Sequence, residues 1–138
     1  MMKNLSLLAA IGALALTGCG DQGQSQQNVQ KIKVRSAEQT QLHELSALNL
    51  AIALKRAIYD AGYTCKRVTD AGYVGEWQNL EMWTAHCEYD RGTKPVDWAI
   101  FAGPDGGAQV RDCKDVPGSG LPECAIKQRP KGSFNSVK

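Results

Sequence analysis

Residues 80–89 read LEMWTAHCEY, and this stretch decides the fold prediction. Successive side chains of a β-strand point to opposite faces of its sheet. If residues 80–89 form a strand, one face of the sheet carries Trp83, Ala85, Cys87 and Tyr89. The opposite face then carries Met82, Thr84, His86 and Glu88. The alternation predicts a β-strand with one face in the core.

Neighbouring segments show the same two-residue period. They predict further strands at 64–68, 73–77, 96–102 and 108–112. The runs GPDGG at 103–107 and DRG at 90–92 supply turn residues between strands. Short turns between consecutive strands predict an antiparallel meander.

A helix is predicted before the strands. Ser36 and Gln39 form a capping-box signature, and Gly62 is a good residue to follow a helix end. We therefore expect one long helix over residues 36–61. Its apolar residues form two stripes, one with Leu45, Leu48, Ile52 and Tyr59, the other with Ala47, Leu50, Leu54, Ala57, Ile58 and Ala61. The predicted fold class is α+β, with this long N-terminal helix packed on the meander and two disulfides.

One sheet face readily covers only one of the two stripes. We predict that the stripe containing Leu50, Leu54 and Ile58 packs on the sheet, because its alanines let the helix approach closely. The other stripe then lies under the loop between Cys113 and Cys124 or remains partly exposed. Its members Leu45, Leu48 and Ile52 form a candidate partner surface.

The N-terminus carries an export pattern. After Lys3, residues 5–16 are an apolar run of 12 residues, shorter than the roughly 20 that span a bilayer. The run ends in Leu16-Thr17-Gly18-Cys19, which resembles the lipobox of bacterial lipoproteins. The resemblance implies that residues 1–18 are a cleaved signal peptide and that Cys19 is acylated and anchors the chain to a membrane. In such lipoproteins, an Asp directly after the acylated cysteine commonly retains the protein in the inner membrane. This chain has Gly20 there, which implies the outer membrane, with another membrane leaflet as the alternative.

The remaining chain divides by composition. Residues 19–35 are rich in Gln, Gly and Ser and predict a flexible tether after the acylated cysteine. Residues 36–126 are expected to form one small domain in the periplasm. Residues 127–138 are basic and predict a disordered tail, with weak contact to anionic lipid or cell-wall polymer as the alternative.

Five cysteines are many for 138 residues, and the number is odd. If Cys19 carries lipid, Cys65, Cys87, Cys113 and Cys124 remain as an even set in an oxidising compartment. Four cysteines allow three pairings. We favour Cys65–Cys87, which ties the strand after the helix to the sheet, and Cys113–Cys124, which closes a Pro- and Gly-rich loop. Neither a zinc site nor a redox pair is expected, because the chain has no C-x-x-C motif.

Catalytic patterns are weak. Glu76, Glu81 and Glu88 could supply a carboxylate pair for glycoside cleavage, but their spacing singles out no pair. His86 and Cys87 are adjacent on a strand and point to opposite faces, and His43 is expected to be solvated. The net charge of +2 gives no strong field for nucleic acid. No enzyme activity, metal or cofactor is expected.

These observations favour a non-catalytic binding or envelope-assembly module, with an envelope protein as its candidate partner. The alternative is an inhibitor or immunity-type lipoprotein that blocks an incoming enzyme such as a lysozyme. The lysozyme-inhibitor lipoproteins are mostly all-β, and the predicted leading helix departs from them. A cell-wall hydrolase is disfavoured.

Overall fold

The structure, a computed structural model, describes residues 34–134. The signal peptide, Cys19 and most of the tether predicted above lie outside the described residues. Within them, two helices precede four strands and a short 3-10 turn. The elements are α1 (Ala37–Glu44), α2 (Ala47–Asp60), β1 (Arg67–Trp77), β2 (Leu80–Glu88), β3 (Val96–Ala102), β4 (Ala108–Asp112) and the turn Cys113–Asp115.

The four strands form one antiparallel sheet in the order β1-β2-β3-β4, so the predicted meander is confirmed. Residues 67–68 of the first predicted strand and all of the second, 73–77, belong to the single strand β1, whereas residues 64–66 precede it and form no strand. Two register shifts, between Val68 and Asp70 and between Tyr73 and Gly75, interrupt its pairing with β2. Such bulges insert an extra residue without ending a strand. They break the two-residue alternation, which is why the sequence pattern predicted a gap.

The prediction of one long N-terminal helix over residues 36–61 is wrong, because the chain forms two short helices there. Leu45 is extended, with φ −68° and ψ 141°, and separates them. The Ser46 side chain then caps α2 by accepting a hydrogen bond from the backbone N–H of Asn49. The Ala47 N–H donates to the carbonyl of Lys131 over 2.8 Å instead of to a preceding turn of helix. A serine cap and a tertiary hydrogen bond therefore compete with helix continuation at this point.

The sheet has an apolar core on each face. On one face, the predicted stripe with Leu50, Leu54 and Ile58 packs against side chains of the sheet that include Trp83 and Ile100, as expected. On the other face, a second cluster brings together Val74, Met82, Ala99, Phe101 and Val116. The loop after β4 supplies Val116, so this loop covers the sheet face that the helices leave open.

Both predicted disulfides are confirmed. Cys65–Cys87 joins the segment before β1 to β2 with a Cα separation of 5.4 Å, and both residues are fully buried. Cys113–Cys124 closes the loop after β4 with a Cα separation of 6.0 Å. Each bridge lowers the conformational entropy of the unfolded chain, which stabilises the folded domain by about 3 kcal/mol in the chain-entropy model.

The C-terminal segment, predicted to be disordered from residue 127, instead packs on the domain as far as Phe134. The backbone N–H of Tyr73 donates to the carbonyl of Gln128, and the Tyr73 carbonyl accepts from Lys127. Phe134 packs against the helix-side core. The segment crosses the edge of β1 at Gly72, where a side chain would collide with Ile126 and the Gln128 carbonyl. The domain therefore extends beyond the predicted boundary at residue 126.

Candidate functional site

An open groove lies between the outer face of α2 and the start of β1. Its volume is about 550 Å³, within the range of about 300–1,000 Å³ that is typical of ligand sites. The apolar lining consists of Leu48, Ala51, Ile52, Val68 and Phe134. The groove is concave and apolar, two properties of surfaces that bind other molecules.

Helix α2 carries large exposed apolar side chains on its outer face, and two of them, Leu48 and Ile52, line the groove. Leu48, Ile52 and Tyr59 are 43%, 59% and 48% exposed. Lys55 lies between Ile52 and Tyr59 in the sequence, and its Nζ is 5.8 Å from the centre of the Tyr59 ring. We call these four residues the outer stripe. The buried residues of α2 lie on its other side against the sheet, so packing among residues 34–134 leaves the apolar side chains of the outer stripe partly exposed.

Phe134 contributes to the groove through the C-terminal segment. The hydrogen bond from Ala47 to the Lys131 carbonyl holds that segment at the start of α2, and Phe134 lines the same groove as Ile52. Phe134 was not predicted as a site residue, because the basic composition of residues 127–138 indicated disorder. The isolated apolar residues Ile126 and Phe134 were the available signal that the segment packs on the domain.

The rim of the groove is rich in cations. The Nζ of Lys55 donates to the carbonyl of Lys66 over 2.7 Å. Lys66 forms an ion pair with Asp90, and Arg67 forms one with Glu88 over 3.3 Å. All four side chains of these two pairs are at least 41% exposed. Exposed ion pairs contribute only about 0–1 kcal/mol to stability. An anionic group of a bound molecule can therefore replace Asp90 or Glu88 as the partner of Lys66 or Arg67 at little cost in free energy.

A second arrangement, which the sequence analysis did not identify, is a buried carboxylate beneath α1. Glu81 is fully buried. It forms an ion pair with Arg35 and lies 3.0 Å from the Nε2 of His43, whose side chain is only 13% exposed. The prediction of a solvated His43 is therefore wrong. The His43 ring also contacts the rings of Tyr73 and Trp83, at centroid distances of 4.7 and 4.8 Å.

The surroundings of this cluster shift the pKa of Arg35 and of Tyr73. The hydrogen bond with Glu81 raises the pKa of Arg35. Burial raises the pKa of the neighbouring Tyr73, which keeps its hydroxyl neutral. The cavity beside His43, Tyr73 and Trp83 has a volume of only about 10 Å³, room for about one water molecule. The cluster therefore joins α1 to the sheet rather than forming a substrate cleft.

The three glutamates considered for glycoside cleavage lie in different surroundings. Glu76 and Glu81 are partners across β1 and β2, but Glu76 is exposed and Glu81 is enclosed. Glu88 pairs with Arg67 at the rim of the groove. The structure therefore does not place them around a shared cleft.

His86 and Cys87 point to opposite faces, as predicted. Cys87 is in a disulfide on the helix side. The Nδ1 of His86 lies 2.5 Å from a carboxylate oxygen of Asp97 on the neighbouring strand. Arg129 of the C-terminal segment binds Asp70 nearby through two hydrogen bonds. These polar residues surround a shallow depression on the face covered by the Cys113–Cys124 loop.

Of the predicted partner surface, the structure brings Leu48 and Ile52 together in the groove and separates Leu45 from them. Leu45 is partly buried, packs against the core and lines a different depression, between the helices and the β3–β4 hairpin. The break between the helices causes this separation. Cys19, the predicted lipidation site, lies outside the described residues.

Comparison with protein-family models, with curated proteins and with solved structures gives no match. In residues 34–134, no helix is long and apolar enough to cross a membrane. The same residues contain no group of three or more His, Cys, Asp or Glu side chains arranged to hold a metal ion.

Proposed function

We propose that this chain is a lipid-anchored binding module of the bacterial envelope whose function is to hold a partner, without catalysis. The observation that carries the proposal is the groove of about 550 Å³ beside the exposed residues Leu48 and Ile52. Exposed apolar side chains that line a concave surface commonly mark an interaction site. The lipobox resemblance supports an envelope location, because acylation of Cys19 would hold the domain close to a membrane.

Site-directed cross-linking in cells tests the groove. A photo-reactive amino acid at position 52 of the full chain is expected to capture an envelope component. The matched control places the same amino acid at Arg111, an exposed position on β4. Capture at position 52 that does not exceed capture at position 111 would reject the groove as the binding site.

The proposed anchor is tested separately. Intact-mass analysis of protein extracted from envelopes is expected to show a mature chain that starts at Cys19 and carries acyl groups. Cys19→Ser is expected to leave the signal peptide uncut and the chain without lipid. A mature protein that starts at any other residue, or that lacks acyl mass, would reject the lipoprotein interpretation.

A second candidate is an inhibitor that blocks an incoming enzyme. It is favoured by the loop that Cys113–Cys124 closes, whose residues 117–120 are all exposed while Val116 and Leu121 anchor the loop to the sheet. A rigid loop with an exposed tip is a common way to enter an enzyme cleft. Inhibition of a lysozyme by the full chain, lost when residues 117–120 are replaced, would favour this candidate over the groove.

A further inference from the structure

We propose that the groove receives an acidic amphipathic helix of a partner protein. The proposal rests on the groove being the binding site proposed above, and it adds the chemistry of the occupant. It follows from the spacing of the outer stripe, from the irregular edge of β1 and from the charges at the rim.

The outer stripe has the spacing of a helix-pairing surface. Leu48, Ile52, Lys55 and Tyr59 follow one another at intervals of four, three and four residues. This is the alternation with which one helix packs against another in coiled coils. Helix α2 has 14 residues, so this surface is about 20 Å long. A helix of similar length can pack along it while its apolar side chains enter the groove toward Val68 and Phe134.

An added β-strand fits this site less well than a helix. Strand addition needs a continuous row of unpaired backbone groups along a sheet edge. The edge of β1 has register shifts after Val68 and after Tyr73. The C-terminal segment already bonds to Tyr73 through Gln128. Bulges of this kind protect edges against further strands, so the occupant is held through side chains.

The charges select an acidic occupant. Three cations, Lys55, Lys66 and Arg67, line the groove, and two exposed carboxylates, Glu88 and Asp90, pair with two of them. Among the described residues, Lys55 has no carboxylate partner, and its ammonium lies within the outer stripe itself. Glutamate or aspartate residues beside the apolar face of a partner helix would pair with these cations.

The same charges disfavour a second copy of this chain. A two-fold interface between two α2 helices would place Lys55 of each copy in one apolar seam. Like charges there cost stability. A flat bilayer surface is disfavoured by shape, because the groove is concave and Val68 at its floor is buried.

The probe is a synthetic helical peptide with leucines at coiled-coil spacing and glutamates beside them, tested by fluorescence anisotropy. The protein is the full chain in mild detergent. The expected result is that a peptide with lysines in place of the glutamates binds at least about tenfold more weakly. Ile52→Ser is expected to weaken binding of the glutamate peptide by about tenfold or more. The matched control, Val34→Ser at another exposed apolar residue, is expected to leave binding unchanged.

Lys55→Glu provides the charge test, because it is expected to reverse the preference in favour of the lysine peptide. Equal binding of both peptides, or no effect of Ile52→Ser, would overturn the proposal. A dimer that Ile52→Ser dissociates would assign the groove to a second copy, and co-purified anionic phospholipid lost in that variant would assign it to lipid. If position 52 captures an envelope protein while neither peptide binds, the acidic helix is refuted and the binding groove stands.

Discussion

The buried carboxylate of Glu81 on β2 lies 3.0 Å from the Nε2 of His43 on α1. Arg35, just before α1, forms an ion pair with the same carboxylate. The ion pair between Arg35 and Glu81 joins the segment before α1 to β2, across a sequence separation of 46 residues. Helix α1 has few apolar residues, so these polar contacts hold it in place together with the packing of Leu42 against the core.

Glu81→Ala is therefore expected to destabilise the domain by about 1–3 kcal/mol, because it leaves the largely buried His43 without its partner, while Arg35, which is 42% exposed, can turn to solvent. The measurement is the free energy of unfolding in urea. Glu123→Ala, at an exposed carboxylate, serves as the control and is expected to change it by less than about 0.5 kcal/mol. If Glu81→Ala lowered the free energy of unfolding no more than the control does, the contacts of Glu81 with Arg35 and His43 would not be what stabilises the domain.

Leu54→Ala is expected to cost about 2–5 kcal/mol, since Leu54 is 2% exposed and its removal leaves a cavity against the sheet. Leu48→Ala on the outer stripe is expected to cost less than about 1 kcal/mol, because Leu48 is already partly in solvent. Thermal melts of the two variants decide the matter. Equal losses would mean that both sides of α2 belong to the core, and the groove would lose its support as a binding surface.

Gly72→Ala is expected to destabilise the domain by about 1–3 kcal/mol, because the added methyl group collides with Ile126 and with the backbone of Gln128. The C-terminal segment then has to move away from β1. Gly75→Ala on the same strand is the matched control, since a Cβ there meets only the Nζ of Lys127, at 3.7 Å. Hydrogen exchange at the Tyr73 N–H, which donates to Gln128, reports the displacement directly. Unchanged protection in Gly72→Ala would show that the segment does not depend on this close approach.

Asp112 is expected to make the loop after β4 sensitive to acid. Burial disfavours its charge, but hydrogen bonds from the side chain and backbone of Lys114 outweigh this effect and lower its pKa. A lowered pKa in the folded state adds stability above the unfolded value of about 3.9, and this stability is lost as pH falls through the folded pKa. Asp112→Asn is expected to be less stable than the native chain at neutral pH. This difference in the free energy of unfolding is expected to shrink below about pH 4, where the native chain loses the stability that the Asp112 carboxylate adds. An Asp112 carboxyl that titrates by NMR at or above about 3.9 would contradict this prediction.

The sequence alone determined the elements that depend on neighbouring residues. Alternation along residues 80–89 and 96–102 gave the two central strands and their faces, and the cysteine positions favoured the pairing that the structure shows. The apolar stripe with Leu50, Leu54 and Ile58 was correctly predicted to face the sheet. These features follow from side-chain periodicity and local turn residues, which act over a few positions of the chain.

Tertiary structure decided the features that depend on distant contacts. Helix α1 ends at Glu44 because Ser46 caps a new helix and the carbonyl of Lys131, far along the chain, accepts the hydrogen bond from the Ala47 N–H. The buried pairing of Glu81 with Arg35 and His43, and the position of Phe134 in the groove, arise in the same way. Local patterns cannot report such contacts, because the free energy that favours them comes from groups that meet only after the sheet has formed.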